Sequence, residues 1–201
     1  MIKVIYFDIG GVIVTDGFAR AASLFSKELN IDEEKLFDAY IKTDDWKYSA
    51  GKIGIERWDN FFKELNLKNI DVQKFVDLWH SIFVPIDETI SLIQKLHGKY
   101  LLGILADQPK DILPYFERYS FLDLFDLRVI SCEVGHSKDE GNLNIYEIAV
   151  DLAKVKSEEI LFIDNNQKNL DNAAKLGIKT LLYKNNEQLK KELVSFSIKL
   201  N

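Results

Sequence analysis

The chain has 201 residues, 47% of them hydrophobic and 29% charged, with a formal net charge of −6. That length and composition suit one sizeable globular domain, or a domain with a modest insert, and the negative balance disfavours nonspecific nucleic-acid and anionic-membrane binders. No apolar run approaches the roughly 18 residues of a membrane span, and a single cysteine, Cys132, excludes an internal disulfide.

The N-terminus enters an apolar run almost at once, which leaves no room for a signal peptide and predicts a soluble cytoplasmic protein. His80, His97 and His136 lack the spacing of a zinc site. The first run, IKVIYF at 2–7, ends on a carboxylate, Asp8, followed after one residue by Gly10 and Gly11. It is too continuous for a half-exposed strand and predicts one buried on both faces.

From 17 to 83 no convincing strand appears. Amphipathic patterns such as FARAASLFSKEL, IERWDNFFKELNL and VQKFVDLWHSIF predict a helical module inserted after the first strand. All three tryptophans lie here. Trp58 and Trp79 sit within helical patterns and suit helix packing, whereas Trp46 and Tyr48, in TDDWKYSAGKIG, are better placed to face a ligand.

Beyond 84, strands and helices alternate. TISLIQKLHGK (89–99) repeats apolar residues at three and four until Gly98 stops it. Strands follow at 100–105 and 127–130, a helix at 143–155, and a strand at 160–163. A further helix, 165–178, opens on asparagine cap candidates and closes on Gly177, and a last strand spans 179–183. This alternation predicts an α/β fold with a parallel sheet and right-handed crossovers. The expected division is a discontinuous core, 1–16 and 84–201, with a helical segment at 17–83.

In an open parallel sheet, ligands bind at the carboxyl ends of strands, at the point where strand order reverses. Three strands here end in an acid: Asp8, Asp107 and Asp164. With the first strand central, the second and third to one side and the fourth and fifth to the other, these acids share one crevice. Two like charges about 4 Å apart repel by roughly 4 kcal/mol at an effective dielectric near 20, so a positive group is expected. Oxygen donors without thiolates suit Mg²⁺. Lys138, after the third strand, can fold back over the crevice, although a solvated loop lysine is the simpler role for it taken alone. Each acid can likewise serve as a cap or turn residue, Asp107 above all, because Asp-Gln-Pro is good turn chemistry. The glycines let backbone amides and carbonyls approach a ligand closely.

These segments resemble the haloacid dehalogenase-like hydrolase superfamily, in its subgroup with a helical cap inserted after the first strand. YFDIGGVIV is similar to its first motif, LGILADQ stands in the place of the second, ISCEVGHSK resembles the third and LFIDNNQKNLDNAAKLGI the fourth. GKIGIERWDNFFKEL is similar to the cap region. The resemblance implies a Rossmann-like three-layer α/β/α core with an all-helical cap. It also implies a phosphatase that acts on a small phosphate monoester. Asp8 would be the nucleophile, forming an aspartyl-phosphate, and Lys138 would pair with both the phosphate and Asp8. Mg²⁺ would be held by Asp8, the Gly10 carbonyl, Asp164 and Asn165. Gly11, Ala106, Asp107, Lys138, Trp46 and Tyr48 would line the substrate site.

The chain departs from the family pattern at three positions. Gly10 stands where a second aspartate usually protonates the leaving group, a role typically worth 10²–10⁴ in rate. Ala106 replaces a Ser or Thr donor, and Asn165 replaces an acid. The loop after Lys138 is also longer than usual, which leaves the reach of the lysine open. These losses define an alternative: a degenerate member that binds a phosphorylated ligand or a partner without efficient turnover. A carbon–halogen hydrolase is a lesser alternative and would need a cap arginine, of which Arg20 and Arg57 are available. The sequence leaves the substrate and the oligomeric state open.

Overall fold

The computed structural model describes residues 1–15 and 17–200, with the side chains of residues 18–20 excepted. Five parallel strands, β1 (Val4–Phe7), β2 (Leu101–Ala106), β3 (Leu127–Ile130), β4 (Ile160–Asp164) and β5 (Lys179–Leu182), lie in the order β3-β2-β1-β4-β5. The most apolar strand is therefore central, and strand order reverses across it, as the acid-ended strands require.

Side chains alternate across the sheet and define two cores. Ile5, Phe7, Leu102, Ile104, Leu161 and Ile163 pack on α6 (Asp87–Leu96) and α11 (Asn186–Ser195). Val4, Tyr6, Leu105, Val129 and Phe162 pack on α9 (Asn144–Ala153) and α10 (Gln167–Ala174). Both faces are covered, which explains why the strands carry near-continuous apolar runs. Tyr6 is fully buried yet satisfied, its hydroxyl donating to Ala149 O at 2.8 Å. Its ring fills the place of a side chain on the neighbouring strand. A Cβ on Gly103 would lie 2.3 Å from it, so only glycine fits there.

The stretch read as helical holds α1 (Phe18–Leu29), α2 (Glu33–Thr43), α3 (Trp46–Ser49), α4 (Arg57–Glu64) and α5 (Val72–Ser81). Three of them start on aspartate caps: Asp32, Asp45 and Asp71 accept from backbone N–H groups of the first turn. Their buried faces meet around Trp58 and Trp79, with Phe25, Phe61 and Phe75 stacked or edge-on against them. The two chain crossings between these helices and the sheet run side by side. Thr15 N donates to Val84 O at 2.8 Å, and Thr15 Oγ1 to Ile82 O at 2.9 Å. Ile86 N donates to Ile13 O at 2.8 Å.

Shorter helices, α7 (Leu113–Phe116) and α8 (Ser131–Val134), follow β2 and β3. Element ends differ from the sequence reading by a few residues. The helix expected at 89–99 ends at Leu96, two residues before Gly98, where φ is 76°. Asn166 caps α10 as expected, accepting from Lys168 N at 3.0 Å.

Candidate active site

The site lies where the central strand ends. Asp8 follows β1 directly, and its N–H donates to Ile163 O at 2.9 Å. Phe7 pairs with Ile163, so Asp8 stands beside Asp164 at the end of β4. The loop after β3 brings Lys138 between them. Its ammonium donates to Asp8 Oδ1 at 2.7 Å and to Asp164 Oδ2 at 2.8 Å. All three groups are buried. The longer loop after Lys138 therefore does not keep the lysine from the crevice.

Two buried carboxylates share one ammonium, which leaves a net negative charge in a water-poor place. Burial pushes the Asp8 carboxyl up to about 7, against the pull of Lys138 and with a further push from Asp164. Burial opposes the charge on Lys138, but Asp164, Asp8 and Asp107 outweigh it and hold the amine well above its usual range. Asp164 is pinned on both oxygens. Asn166 N donates to Oδ1 at 2.7 Å, and Asn169 Nδ2 to Oδ2 at 3.0 Å. This excess of buried anionic oxygen, with no sulfur or imidazole among the ligand atoms, fits a hard divalent cation. Asp8, Asp164 and the carbonyl of Gly10 would hold it. Asn165 is exposed beside Asp164 and adds an uncharged oxygen. Among the described residues no cluster of three His, Cys, Asp or Glu side chains forms a metal cage.

Asp107 is turned to a structural task. Its carboxylate accepts from Ser137 Oγ at 2.7 Å and from Lys138 N at 3.0 Å to each oxygen. It thus fixes the backbone of a lysine 31 residues further along the chain. Burial raises its carboxyl, and the Lys138 charge and N–H draw it back.

The glycine turn is tighter than a phosphate nest would be. Gly11 has φ 75°, and its N–H donates to Val14 O at 2.8 Å. That amide is occupied within the turn, which corrects the expectation that Gly11 faces substrate.

A cavity of about 200 Å³ opens above this region. Gly10, Asp107 and Gln108 line it from the sheet side, and Tyr40, Asp44, Tyr48, Trp79 and Phe83 from the helical side. Tyr48 lines the cavity, and Trp79 does so as well as packing in the helical core. Trp46 does not line it; Lys52 Nζ sits over its ring at 4.4 Å from the centroid. Ala106 is fully buried at the end of β2 and offers no donor.

Three features were not anticipated. Tyr48 Oη donates to Asp111 Oδ2 at 2.7 Å, and His80 Nε2 approaches the same oxygen at 2.9 Å, tying α3 and α5 to the loop after β2. Burial alone would raise the Asp111 carboxyl, but His80 and Tyr48 hold it below its usual value. Ser131 Oγ donates to Ser49 O at 2.6 Å and accepts from Gln108 N at 2.9 Å, a second tie between the helices and the sheet. Arg57 is buried among Tyr40, Tyr48 and Trp58 and donates to Asp44 Oδ1 at 2.9 Å. Its charge is paired, so it is not the free arginine a carbon–halogen hydrolase would need. The side chain of Arg20 lies outside the described residues.

No protein-family model matches the chain. A curated relative, a D-ribitol-5-phosphate phosphatase from Bacteroides thetaiotaomicron, is 25% identical over 96% of this chain and 97% of its own length. Among solved structures, a HAD family enzyme from the same organism, in complex with magnesium and inorganic phosphate, superposes with a TM-score of 0.74. It is 24% identical and covers 92% of this chain and 95% of its own. A HAD phosphatase from Thermococcus onnurineus gives a TM-score of 0.65 at 19% identity, covering 96% and 98% of the two chains. An L-2-haloacid dehalogenase from Xanthobacter autotrophicus, with chloropropionic acid covalently bound, gives 0.68 at 18%, covering 99% of this chain and 85% of its own. Fold, strand-end carboxylates and bridging lysine converge: the chain has the fold of haloacid dehalogenase-like hydrolases and is similar over nearly its whole length to a curated phosphatase.

Proposed function

We propose that the protein is a Mg²⁺-dependent phosphatase that hydrolyses a small phosphate monoester through an aspartyl-phosphate on Asp8. The observation that carries this reading is the ammonium of Lys138 set between Asp8 and Asp164, at 2.7 and 2.8 Å. Such a group opposes the upward push of burial on the nucleophilic carboxylate and supplies positive charge beside the incoming phosphoryl group. The curated D-ribitol-5-phosphate phosphatase supports the same reaction class.

Asp8 attacks phosphorus, and the phosphorus–oxygen bond to the leaving alcohol breaks with its electron pair on that oxygen. Water then hydrolyses the acyl phosphate and returns Asp8. Asp107 and Ser137 hold the Lys138 loop in register throughout. A bound Mg²⁺ would shield the phosphoryl charge from the carboxylate nucleophile. Asp8, the Gly10 carbonyl, Asp164 and Asn165 are its proposed ligands.

In this reading, residues 17–83 form a cap over a core made of 1–16 and 84–201; residue 16, at the expected boundary, lies outside the described residues. The cap closes the site from water and selects substrate. The cavity of about 200 Å³ beside Gly10 suits a small phosphorylated molecule. Gly10, Ala106 and Asn165 weaken the site without removing its charged groups. Hydrolysis of p-nitrophenyl phosphate with Mg²⁺ tests the proposal. Wild type is expected to turn over, and Asp8→Asn is expected to be inactive; equal rates in the two would overturn it.

A further inference from the structure

Gly10 stands where the family resemblance implies a leaving-group acid, and no residue of the proposed mechanism takes that role. The structure holds one uncommitted polar side chain at that place. Gln108 is 7% exposed, and its N–H is fixed to Ser131 Oγ at 2.9 Å. Its side-chain amide makes no hydrogen bond among the described residues and lines the same cavity as Gly10. A Cβ built on Gly10 meets a single neighbour within 4 Å, Gln108 Nε2 at 3.9 Å. The amide therefore borders the space that a second aspartate would occupy. The residue is buried, but its amide opens into the cavity, where a ligand oxygen can accept from it.

Resting on the phosphatase reading, we infer that Gln108 is a catalytic residue, its amide N–H hydrogen-bonding the leaving-group oxygen as the bond to phosphorus breaks. Charge develops on that oxygen in the transition state, and a fixed donor there lowers the barrier. An amide does not give up its proton. The departing alkoxide takes its proton from water, leaving hydroxide, and the amide only stabilises it until then. Gln108 and Gly10 thus form a donor without an acid, in place of an acid alone. The arrangement favours esters whose leaving oxygen is weakly basic and gives less help to strongly basic alkoxides.

The test is a series of aryl and alkyl phosphates of graded leaving-group pKa, measured with Mg²⁺ on wild type, Gln108→Met and Gln108→Ala. Gln108→Met keeps the length and burial of the side chain and removes the donor. Its kcat should fall about 10- to 100-fold for alkyl phosphates and much less for p-nitrophenyl phosphate. The plot of rate against leaving-group pKa should steepen accordingly. Gly10→Asp is a second arm. Gly10 lies outside the left-handed backbone region and has room for a Cβ, so an aspartate there can restore protonation. In that background the effect of Gln108→Met should shrink. Equal losses across the series, or an unchanged slope in an active Gln108→Met, overturn the inference and leave the phosphatase reading standing. A wild type without phosphatase activity overturns both.

Discussion

Asp107 grips the backbone N–H of Lys138 with both carboxylate oxygens, each at 3.0 Å, so the loop that delivers the ammonium is anchored at the residue itself. An acid at the end of β2 looks harmful beside a phosphate, yet here its charge is spent on a donor one residue after Ser137, which it also binds. A hydrogen bond to a charged group contributes roughly 1.5–3 kcal/mol. Asp107→Ala should therefore lower kcat/KM by about 10- to 100-fold through a misplaced Lys138. Asp107→Asn, which keeps an acceptor, should lose less. Steady-state kinetics on the two variants check the order.

Lys138→Met should be more severe. It leaves Asp8 and Asp164 buried without their shared cation, and breaking a buried pair in this way costs about 3–5 kcal/mol. Thermal unfolding in chelator should show that loss. Mg²⁺ should return part of it, because the cation then faces two carboxylates no longer shared with the ammonium. Turnover should be abolished in either condition.

Ala106→Ser should act in the opposite direction. A hydroxyl at the end of β2 adds a donor for the phosphoryl oxygens, worth up to roughly 1.5–3 kcal/mol. Inorganic phosphate should inhibit this variant at about tenfold lower concentration than wild type. Inhibition constants with Mg²⁺ decide it.

The tie between Tyr48, His80 and Asp111 carries a pH signature. The Asp111 carboxyl is held below its ordinary value in the folded chain. Its stabilising effect is therefore fully present above the unfolded carboxylate pKa of about 3.9 and is lost as pH falls through the folded value. Asp111→Ala should lower the melting temperature by a similar amount from pH 5 to 8. The gap should close only below about pH 4. Melting curves across that range provide the check.

Much of this architecture is legible in the chain. Strands buried on both faces leave unbroken apolar runs, and a catalytic crevice at a switch point leaves acids at their ends, so Asp8, Asp164 and Lys138 could be brought together on paper. What escaped depends on where side chains turn in space. The Asp107 carboxylate could have pointed to the crevice or to the loop, and only the fold shows that Ser137 and Lys138 capture it. Trp46 sat between helices like a ligand-facing residue, but Lys52 lies over its ring. Gly11 carried the signature of a phosphate turn, yet its N–H closes the turn on Val14. The pairing of Arg57 with Asp44 spans 13 residues and leaves no periodic trace. Gln108 looked like part of a turn, and its significance comes only from its nearness to Gly10.

The central claim is that Asp8 carries the phosphoryl group. Rapid acid quench of wild type turning over p-nitrophenyl phosphate with Mg²⁺, followed by peptide mass spectrometry, measures this directly. The account predicts the added mass of one phosphoryl group on the peptide containing Asp8, localised to that residue and absent from Asp8→Asn. Turnover that leaves no phosphoryl group on Asp8, or that survives undiminished in Asp8→Asn, would contradict it.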